Sequence, residues 1–201
     1  MNNFDYPAIG QRIKLLRKRK RLNQKELASM LDKSLRTVQK YESGEIEVSV
    51  AVVNQLAELL ESTPTYILGY EVNTTPIKSL ADIMHFLFQM EQVTGIDFDI
   101  DVRKPPRSNE WKCAISFNGK AAANLNADMC LFLEDWESER EGVRSYASSQ
   151  SAYQKWQDQT LAYYAATQVE CVQPPELSRE ERIQKRNAYL ENLYTQQKGD
   201  G

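Results

Sequence analysis

Three long side chains that donate hydrogen bonds lie close together in the segment SLRTVQKYESG, residues 34–44. On a helix, with 100° per residue, Val38 and Tyr41 share one side and are expected to face inward together with Ser34. The opposite side carries the remaining large residues: Leu35, Arg36, Gln39 and Lys40. The chemistry that this side offers is donation of hydrogen bonds to an acceptor-rich partner. A polar outer face is also typical of any surface helix, so this segment alone does not decide between a binding surface and a solvated one.

Residues that could carry catalysis or hold a metal do not form a known pattern. The single histidine, His85, has no second ligand at the spacing of a zinc site, and the three cysteines include no C-x-x-C pair. The acidic run at 97–101 has the D-x-D-x-D spacing of a calcium loop, but Val102 stands where that loop requires glycine and Ser108 where it requires glutamate. A glycine-rich phosphate loop is also missing. The sequence therefore predicts a protein that is not an enzyme and that uses no metal or cofactor.

Charge is distributed unevenly along the chain, whose formal net charge is −3. Residues 1–44 contain 11 Lys and Arg against 4 Asp and Glu, a balance of +7, whereas residues 71–201 contain 14 against 20, a balance of −6. A basic first part joined to an acidic remainder indicates that only the first part meets a polyanion. No run approaches the ~20 apolar residues of a membrane span, and the N-terminus lacks the apolar core of a secretory signal. We therefore expect a cytoplasmic protein with no membrane partner.

Five short helices are predicted within residues 1–70. The first carries the basic block RKRKR, 17–21, and the second has Leu27, Met30 and Leu31 on its inner face. Local signals mark where the later helices start and stop: a capping box from Asn23 to Glu26, caps at Ser34, Ser49 and Thr63, and glycines at 44 and 69. The short turn between the second and third helices is typical of a helix-turn-helix unit.

Two motifs, LNQKELA at 22–28 and RTVQKYESG at 36–44, together with the spacing between them, resemble the Cro/CI-type helix-turn-helix domain of phage repressors, the XRE family. The resemblance covers about residues 6–70. It implies a five-helix, lambda-repressor-like fold whose recognition helix, 34–43, enters the major groove of a double-stranded DNA operator. Because one such helix reads few base pairs, it also implies a homodimer on a symmetric operator. The expected function is a sequence-specific bacterial or phage transcriptional regulator, with repression as the expected effect.

The resemblance also implies roles for individual residues. The set expected to contact the DNA backbone is Gln24, Lys33 and Ser34. The set expected to face base edges is Leu35, Arg36 and Lys40, with Thr37 and Gln39 flanking it. Arg17 and Glu42 are expected to pair and to tie the first helix to the third.

This sequence departs from the pattern of the family in two places. The turn before the third helix usually contains glycine and then an apolar residue, where this chain has Asp32 and Lys33. The loop after that helix is usually basic, but here it reads Glu45-Ile46-Glu47. The acidic loop removes an expected phosphate contact, so we expect modest affinity for DNA or a larger contribution from the first helix.

A linker, 71–79, and an acidic α+β domain, 80–201, are predicted to follow. An apolar helix from Ser79 to Gly95 is expected to be buried against a sheet or a second subunit. IDFDIDV at 96–102 and WKCAISF at 111–117 alternate apolar and polar residues and predict a small antiparallel β-hairpin. Further helices are expected after Asn126, around residues 153–164 and after Ser178.

The acidic domain resembles no family, so its role is inferred only from its composition and from the first domain. We expect it to supply dimerisation, to bind a small-molecule or protein effector, or to do both. The alternative is an antitoxin-like or adaptor protein, in which the acidic domain binds a partner protein while the first domain controls its own gene.

Overall fold

The computed structural model describes residues 4–70, 77–104, 111–120, 122–173 and 175–199, with side chains as far as residue 191. Its N-terminal part consists of five helices: α1 (Tyr6–Arg19), α2 (Gln24–Met30), α3 (Leu35–Ser43), α4 (Val50–Leu59) and α5 (Pro64–Leu68). The predicted all-α, helix-turn-helix fold of this part is confirmed.

The ends of these helices follow the local signals in the sequence. Asn23 and Glu26 form a reciprocal capping box at the start of α2, and Ser34 accepts a hydrogen bond from the Thr37 amide at the start of α3. Gly44 ends α3 with a φ of 74°, a left-handed conformation that costs glycine little. α1 ends at Arg19, and Arg21, two residues later, adopts a left-handed conformation with a φ of 58°.

One apolar core holds the five helices together. Its fully buried members include Ile9 and Ile13 of α1, Leu27 of α2, and Val38 of α3. The sequence pattern was wrong about Met30, whose side chain is 49% exposed at the end of α2. Ser34 is also exposed, because it acts as a cap and not as part of the inner face of α3.

The C-terminal part contains helices and one two-stranded sheet, as an α+β class requires. The elements are α6 (Leu80–Glu91), β1 (Phe98–Arg103), β2 (Lys112–Phe117), α7 (Asn126–Arg144), α8 (Gln150–Tyr164) and α9 (Arg179–Gly199). β1 and β2 are antiparallel, with Phe98 opposite Phe117 and Ile100 opposite Ile115, which confirms the predicted hairpin. The connection at 105–110 and most of the predicted linker, 71–76, lie outside the described residues.

α8 packs directly on the first five helices. Ala162 of α8 is completely buried in the same apolar core, and Lys155 of α8 pairs with Glu58 of α4 at 2.6 Å. The division of the chain into a domain at 1–70, a linker at 71–79 and a domain at 80–201 therefore remains a prediction. α8 belongs by sequence to the second of these domains, but it packs on the first.

The rest of the C-terminal part buries little of its apolar surface. Between residue 77 and residue 191, the described side chains that are buried are Asn126 and Ala162 alone. α6, which was expected to lie against a sheet or a second subunit, is exposed along its length within this chain. In the part of the chain that the structure describes, no helix combines the length and the apolar character needed to span a bilayer.

Candidate nucleic-acid interface

α3 crosses α1 at very short range. A Cβ atom placed on Gly10 of α1 would lie 2.4 Å from the backbone oxygen of Tyr41 in α3. Because that neighbour is backbone, it cannot rotate away, and the two helices can approach this closely only with glycine at position 10. The contact therefore fixes the distance between α1 and α3.

A buried ion pair fixes the orientation of α3 on α1. Arg17 Nε donates to Glu42 Oε1 at 2.5 Å, and Arg17 Nη2 donates to Glu42 Oε2 at 3.0 Å. Both residues are buried, with 7% and 6% of their surface exposed. Arg17 Nη1 also donates to the backbone oxygen of Leu22, and Gln24 Nε2 donates to Glu42 Oε2, each at 2.7 Å. The carboxylate of Glu42 therefore joins α1, α2 and α3.

The environment of Glu42 keeps it ionised. Burial by itself raises the pKa of this carboxyl group, but hydrogen bonds from Arg17 and Gln24 and the positive charges of Arg17 and Lys14 outweigh it, so its pKa lies below the ordinary value. The pKa of Arg17 is raised, first by its hydrogen bond to Glu42 and against the opposing effect of burial. The pair is therefore charged on both sides at neutral pH.

The turn between α2 and α3 accommodates its unusual sequence. Asp32 adopts a φ of 52°, the conformation for which the family uses glycine, and Asp tolerates it better than most residues do. The backbone amide of Lys33 donates to the Ala28 oxygen at 2.9 Å, and the Lys33 side chain is exposed. The turn thus keeps its geometry without glycine, and it presents a cation beside the start of α3.

The outer face of α3 is open to solvent. Leu35 exposes 42% of its surface, and Arg36 and Gln39 are exposed as well. The elements that pack most closely on α3 are α1 and α2, on its inner side. This face therefore offers a partner one apolar side chain next to hydrogen-bond donors.

Several of the predicted site residues form hydrogen bonds within the domain, Ser34 with Thr37 among them. Lys40 Nζ pairs with Glu45 Oε1 at 2.8 Å, so the acidic loop neutralises a cation of α3. Gln24 lies between Glu42 and Gln39, whose Nε2 is 3.5 Å from Gln24 Oε1. From the sequence, the acidic loop was expected only to remove a phosphate contact. The contact between Glu45 and Lys40 was not predicted, because the two residues lie on opposite sides of the bend at Gly44.

The basic block at 17–21 is not a uniform cationic surface. Arg17 is buried in the pair with Glu42, and Lys20 pairs with Glu61 after α4. Lys18, Arg19 and Arg21 remain exposed. The exposed cations of this domain therefore include those at the end of α1, Lys33 and Arg36.

These observations define a class of protein. Five short helices present a third helix that is fixed from behind by a glycine contact and an ion pair, and its exposed face carries hydrogen-bond donors. This is the geometry of a helix-turn-helix unit, whose second helix inserts into the major groove of DNA.

The comparisons with known proteins assign the family. The helix-turn-helix family model HTH_3 matches residues 13–75. The chain therefore carries a Cro/CI-type helix-turn-helix domain of the XRE family of DNA-binding transcription regulators, as the resemblance in its motifs implied. The C-terminal region lies outside this match.

Solved structures similar to this chain include two that match about a third of it. The restriction-modification controller protein C.AhdI from Aeromonas hydrophila is 32% identical over 31% of this chain and 96% of its own, with a TM-score of 0.30. The P22 c2 repressor protein, solved with a synthetic operator, is 26% identical over 32% of this chain and 97% of its own, with a TM-score of 0.31. ComR from S. thermophilus is 16% identical over 90% of this chain and 64% of its own, with a TM-score of 0.30. No curated protein matches the chain.

Proposed function

We propose that this protein is a sequence-specific regulator of transcription that places α3 in the major groove of double-stranded DNA. The observation that carries the proposal is the exposed outer face of α3, where Leu35 and Arg36 project from a helix held at fixed height and angle by Gly10 and the Arg17–Glu42 pair. Preorganisation of this kind reduces the cost of ordering the helix on DNA.

The geometry suggests a division of labour among the exposed side chains. The Arg36 guanidinium can donate two hydrogen bonds to O6 and N7 of guanine, and Leu35 can contact a thymine methyl group. Lys33 and Ser34, at the N-terminus of α3, are proposed to contact the phosphate backbone, with Thr37 one turn further on.

Gln24 and Lys40 are proposed to bind DNA through groups that their internal contacts leave available. The amide of Gln24 has two N–H donors, and its hydrogen bond to Glu42 uses one of them, so the other can donate to phosphate. The Lys40 ammonium has three donors, but Glu45 competes with DNA for this cation. Gln39, which touches Gln24 weakly, remains a flanking contact.

We further propose that the protein acts as a homodimer and that a second copy covers α6 and the apolar face of the β-hairpin. Leu80, Met84 and Phe88 on one side of α6 expose 65%, 48% and 63% of their surfaces, and Ile100 of β1 exposes 67%. A helix of 12 residues and a two-stranded sheet are each marginal in water without apolar packing. These elements therefore need a partner surface.

The size of this surface fits a stable dimer. Eight large apolar side chains on one side of α6 and in the hairpin region are exposed: Leu80, Ile83, Met84, Phe88, Ile100, Val102, Trp111 and Ile115. If each loses on the order of 100 Å², about half of what a buried aromatic side chain loses, the total is ~800 Å² per copy, equal to the ~800 Å² per partner of a standard interface.

A second copy is favoured over another protein because the C-terminal part lacks a core of its own. A region without its own core needs its partner from the time it folds, and a second copy of the same chain is always available. Permanent homodimer interfaces are also more apolar than transient ones. Two copies would bring two recognition helices to half-sites about one helical turn apart, and a dimer bound across a promoter would repress by excluding polymerase.

Selection of bound duplexes from a random DNA pool tests the DNA-binding proposal. Replacing Arg36 by Ala should cost ~1–3 kcal/mol on the selected site and relax the preference at one base pair. Arg182→Ala, the same change on exposed α9, is the matched control and should leave binding unchanged. Equal loss of affinity on selected and random DNA for Arg36→Ala would contradict a base-reading role.

The dimer is tested by the mass of the full chain in solution. Met84→Glu and Phe88→Glu, one turn apart on the same side of α6, place charges in the proposed interface and should convert a dimer into monomers in sedimentation experiments. Tyr146→Glu, at a side chain 94% exposed after α7, is the control. A monomeric wild type, or a dimer that persists in both variants, would contradict the assignment.

A further inference from the structure

An apolar cavity of about 240 Å³ lies between α7 and α8. These helices belong to the C-terminal part of the chain, to which the DNA-binding proposal assigns no contact with DNA. Its walls include Met129 and Phe132 of α7 and Leu161 of α8, while Asp128 and Tyr164 supply polar groups. An engineered 150 Å³ cavity with similar walls binds benzene, so the volume here is sufficient for an aromatic ring with a short side chain. Apolar walls with a few polar groups are the usual composition of a small-molecule site.

The walls of the cavity are almost wholly apolar, and the one charged side chain among its described lining residues is Asp128. Asp128 lies in the first turn of α7, where the helix N-terminus stabilises a carboxylate, and it forms no ion pair within the described structure. None of the described residues that line the cavity is Lys, Arg or His. The pKa of Tyr164 is raised, first by burial and then by the negative charges around it, those of Asp128 and Asp135 included. A cation is the ligand charge that such surroundings favour.

We propose that this cavity is a regulatory site for a small arylalkylamine, whose ring lies between Phe132 and Leu161 and whose ammonium group pairs with Asp128. An uncharged ligand of the same size would leave the Asp128 carboxylate without a charged partner. A carboxylate ligand would place a second negative charge beside Asp128 and Tyr164. The site should therefore select amines over alcohols and alcohols over acids.

α8 connects this cavity to the DNA-binding domain. Leu161 lines the cavity, whereas the next residue, Ala162, is fully buried in the core formed by α1 to α5. Lys155, two turns earlier, pairs with Glu58 of α4. A ligand that changes the separation of α7 and α8 therefore acts on the helix that covers α4 and α5. Binding of amine and binding of DNA should be coupled, and each should change the affinity of the other by the same factor.

Titration of the full-length protein with three matched probes tests the site in the absence of DNA, so its outcome does not depend on the proposed function. The probes are 2-phenylethylamine, 2-phenylethanol and phenylacetate. Phe132 stacks on Trp136 and Trp156, with ring centroids 5.6 Å and 6.4 Å apart, so tryptophan fluorescence should report occupancy. We expect the amine to bind at least tenfold more tightly than the alcohol, and phenylacetate to bind more weakly still. Equal affinities, or no binding of the amine, would overturn the proposal.

Two variants assign the binding to the cavity. Asp128→Asn should remove the preference for the amine over the alcohol, and Asp99→Asn, which removes the same charge from β1, should keep it. Leu161→Trp fills the cavity and should abolish binding of all three probes, with circular dichroism as the check that helices remain. Retention of amine selectivity in Asp128→Asn would also overturn the proposal. Finally, a saturating concentration of amine should change the affinity for a selected duplex in the wild type and not in Asp128→Asn.

Discussion

Removal of the Glu42 carboxylate is the substitution whose effect on stability follows most directly from the contacts in the structure. Glu42→Ala would leave two N–H groups of Arg17 and one of Gln24 without their acceptor, in a place where Arg17 exposes only 7% of its surface. Breaking a buried ion pair from one side costs ~3–5 kcal/mol. Set against a total stability of ~5–15 kcal/mol for an ordinary domain, this loss would be a large fraction of the free energy of unfolding of the helix-turn-helix domain.

Urea denaturation of the full chain, followed by far-ultraviolet circular dichroism, measures this loss. With a slope of ~1–3 kcal/mol per molar urea, the midpoint of the transition should fall by roughly 2 M. Glu45→Ala is the matched control, because it breaks an exposed pair with Lys40 that contributes at most ~1 kcal/mol. The double variant Arg17→Met, Glu42→Met should be far closer to the wild type than Glu42→Ala, since it leaves no buried charge.

The dependence on pH has a definite sign. The pKa of Glu42 is lower in the folded protein than in the unfolded chain, so the carboxylate stabilises the fold above the ordinary glutamate pKa and loses this effect as the pH falls through its folded value. The difference between wild type and Glu42→Ala should therefore be largest at neutral pH and should shrink in acid. A difference below ~1 kcal/mol at neutral pH, or one that does not change in acid, would refute the role given to this pair.

Three further changes test other parts of the domain. Gly10→Ala should lower the free energy of unfolding by about 1–3 kcal/mol in the same urea assay, because its Cβ would lie 2.4 Å from the Tyr41 oxygen; an unchanged midpoint would argue against the close helix contact. Asp32→Gly should raise it by about 1 kcal/mol, since the φ of 52° is strained for a side chain, and a loss of stability would contradict this. Glu45→Gln should release Lys40 and increase the affinity for DNA, with a salt dependence steeper by about one counterion; an unchanged slope would show that Lys40 does not reach a phosphate.

Local chemistry made the first domain predictable. The capping box at Asn23 and Glu26 and the left-handed end of α3 at Gly44 involve residues a few positions apart, so the sequence alone determines them. The contact between Arg17 and Glu42 joins residues 25 positions apart, and only the resemblance to a family pointed to it.

Which of the apolar side chains are buried depends on tertiary packing, and the sequence pattern did not predict it for every helix. Met30 has helical spacing for the core, but α2 ends there and turns its side chain to solvent. The burial of Ala162 against the first domain could not be read from α8, whose apolar residues are distributed around the helix. α6 was correctly placed as a helix, but its pattern does not say which surface covers it. The base-reading and phosphate roles of individual residues stay predictions.

The placement of α3 in a DNA groove is tested most directly by amide chemical-shift changes when the full chain is titrated with a duplex from the random-pool selection. The account predicts that the largest changes, and the strongest protection from exchange, fall on residues 33–40 and at the end of α1. Largest changes in α6, the hairpin or α8, with residues 33–40 unaffected, would contradict it.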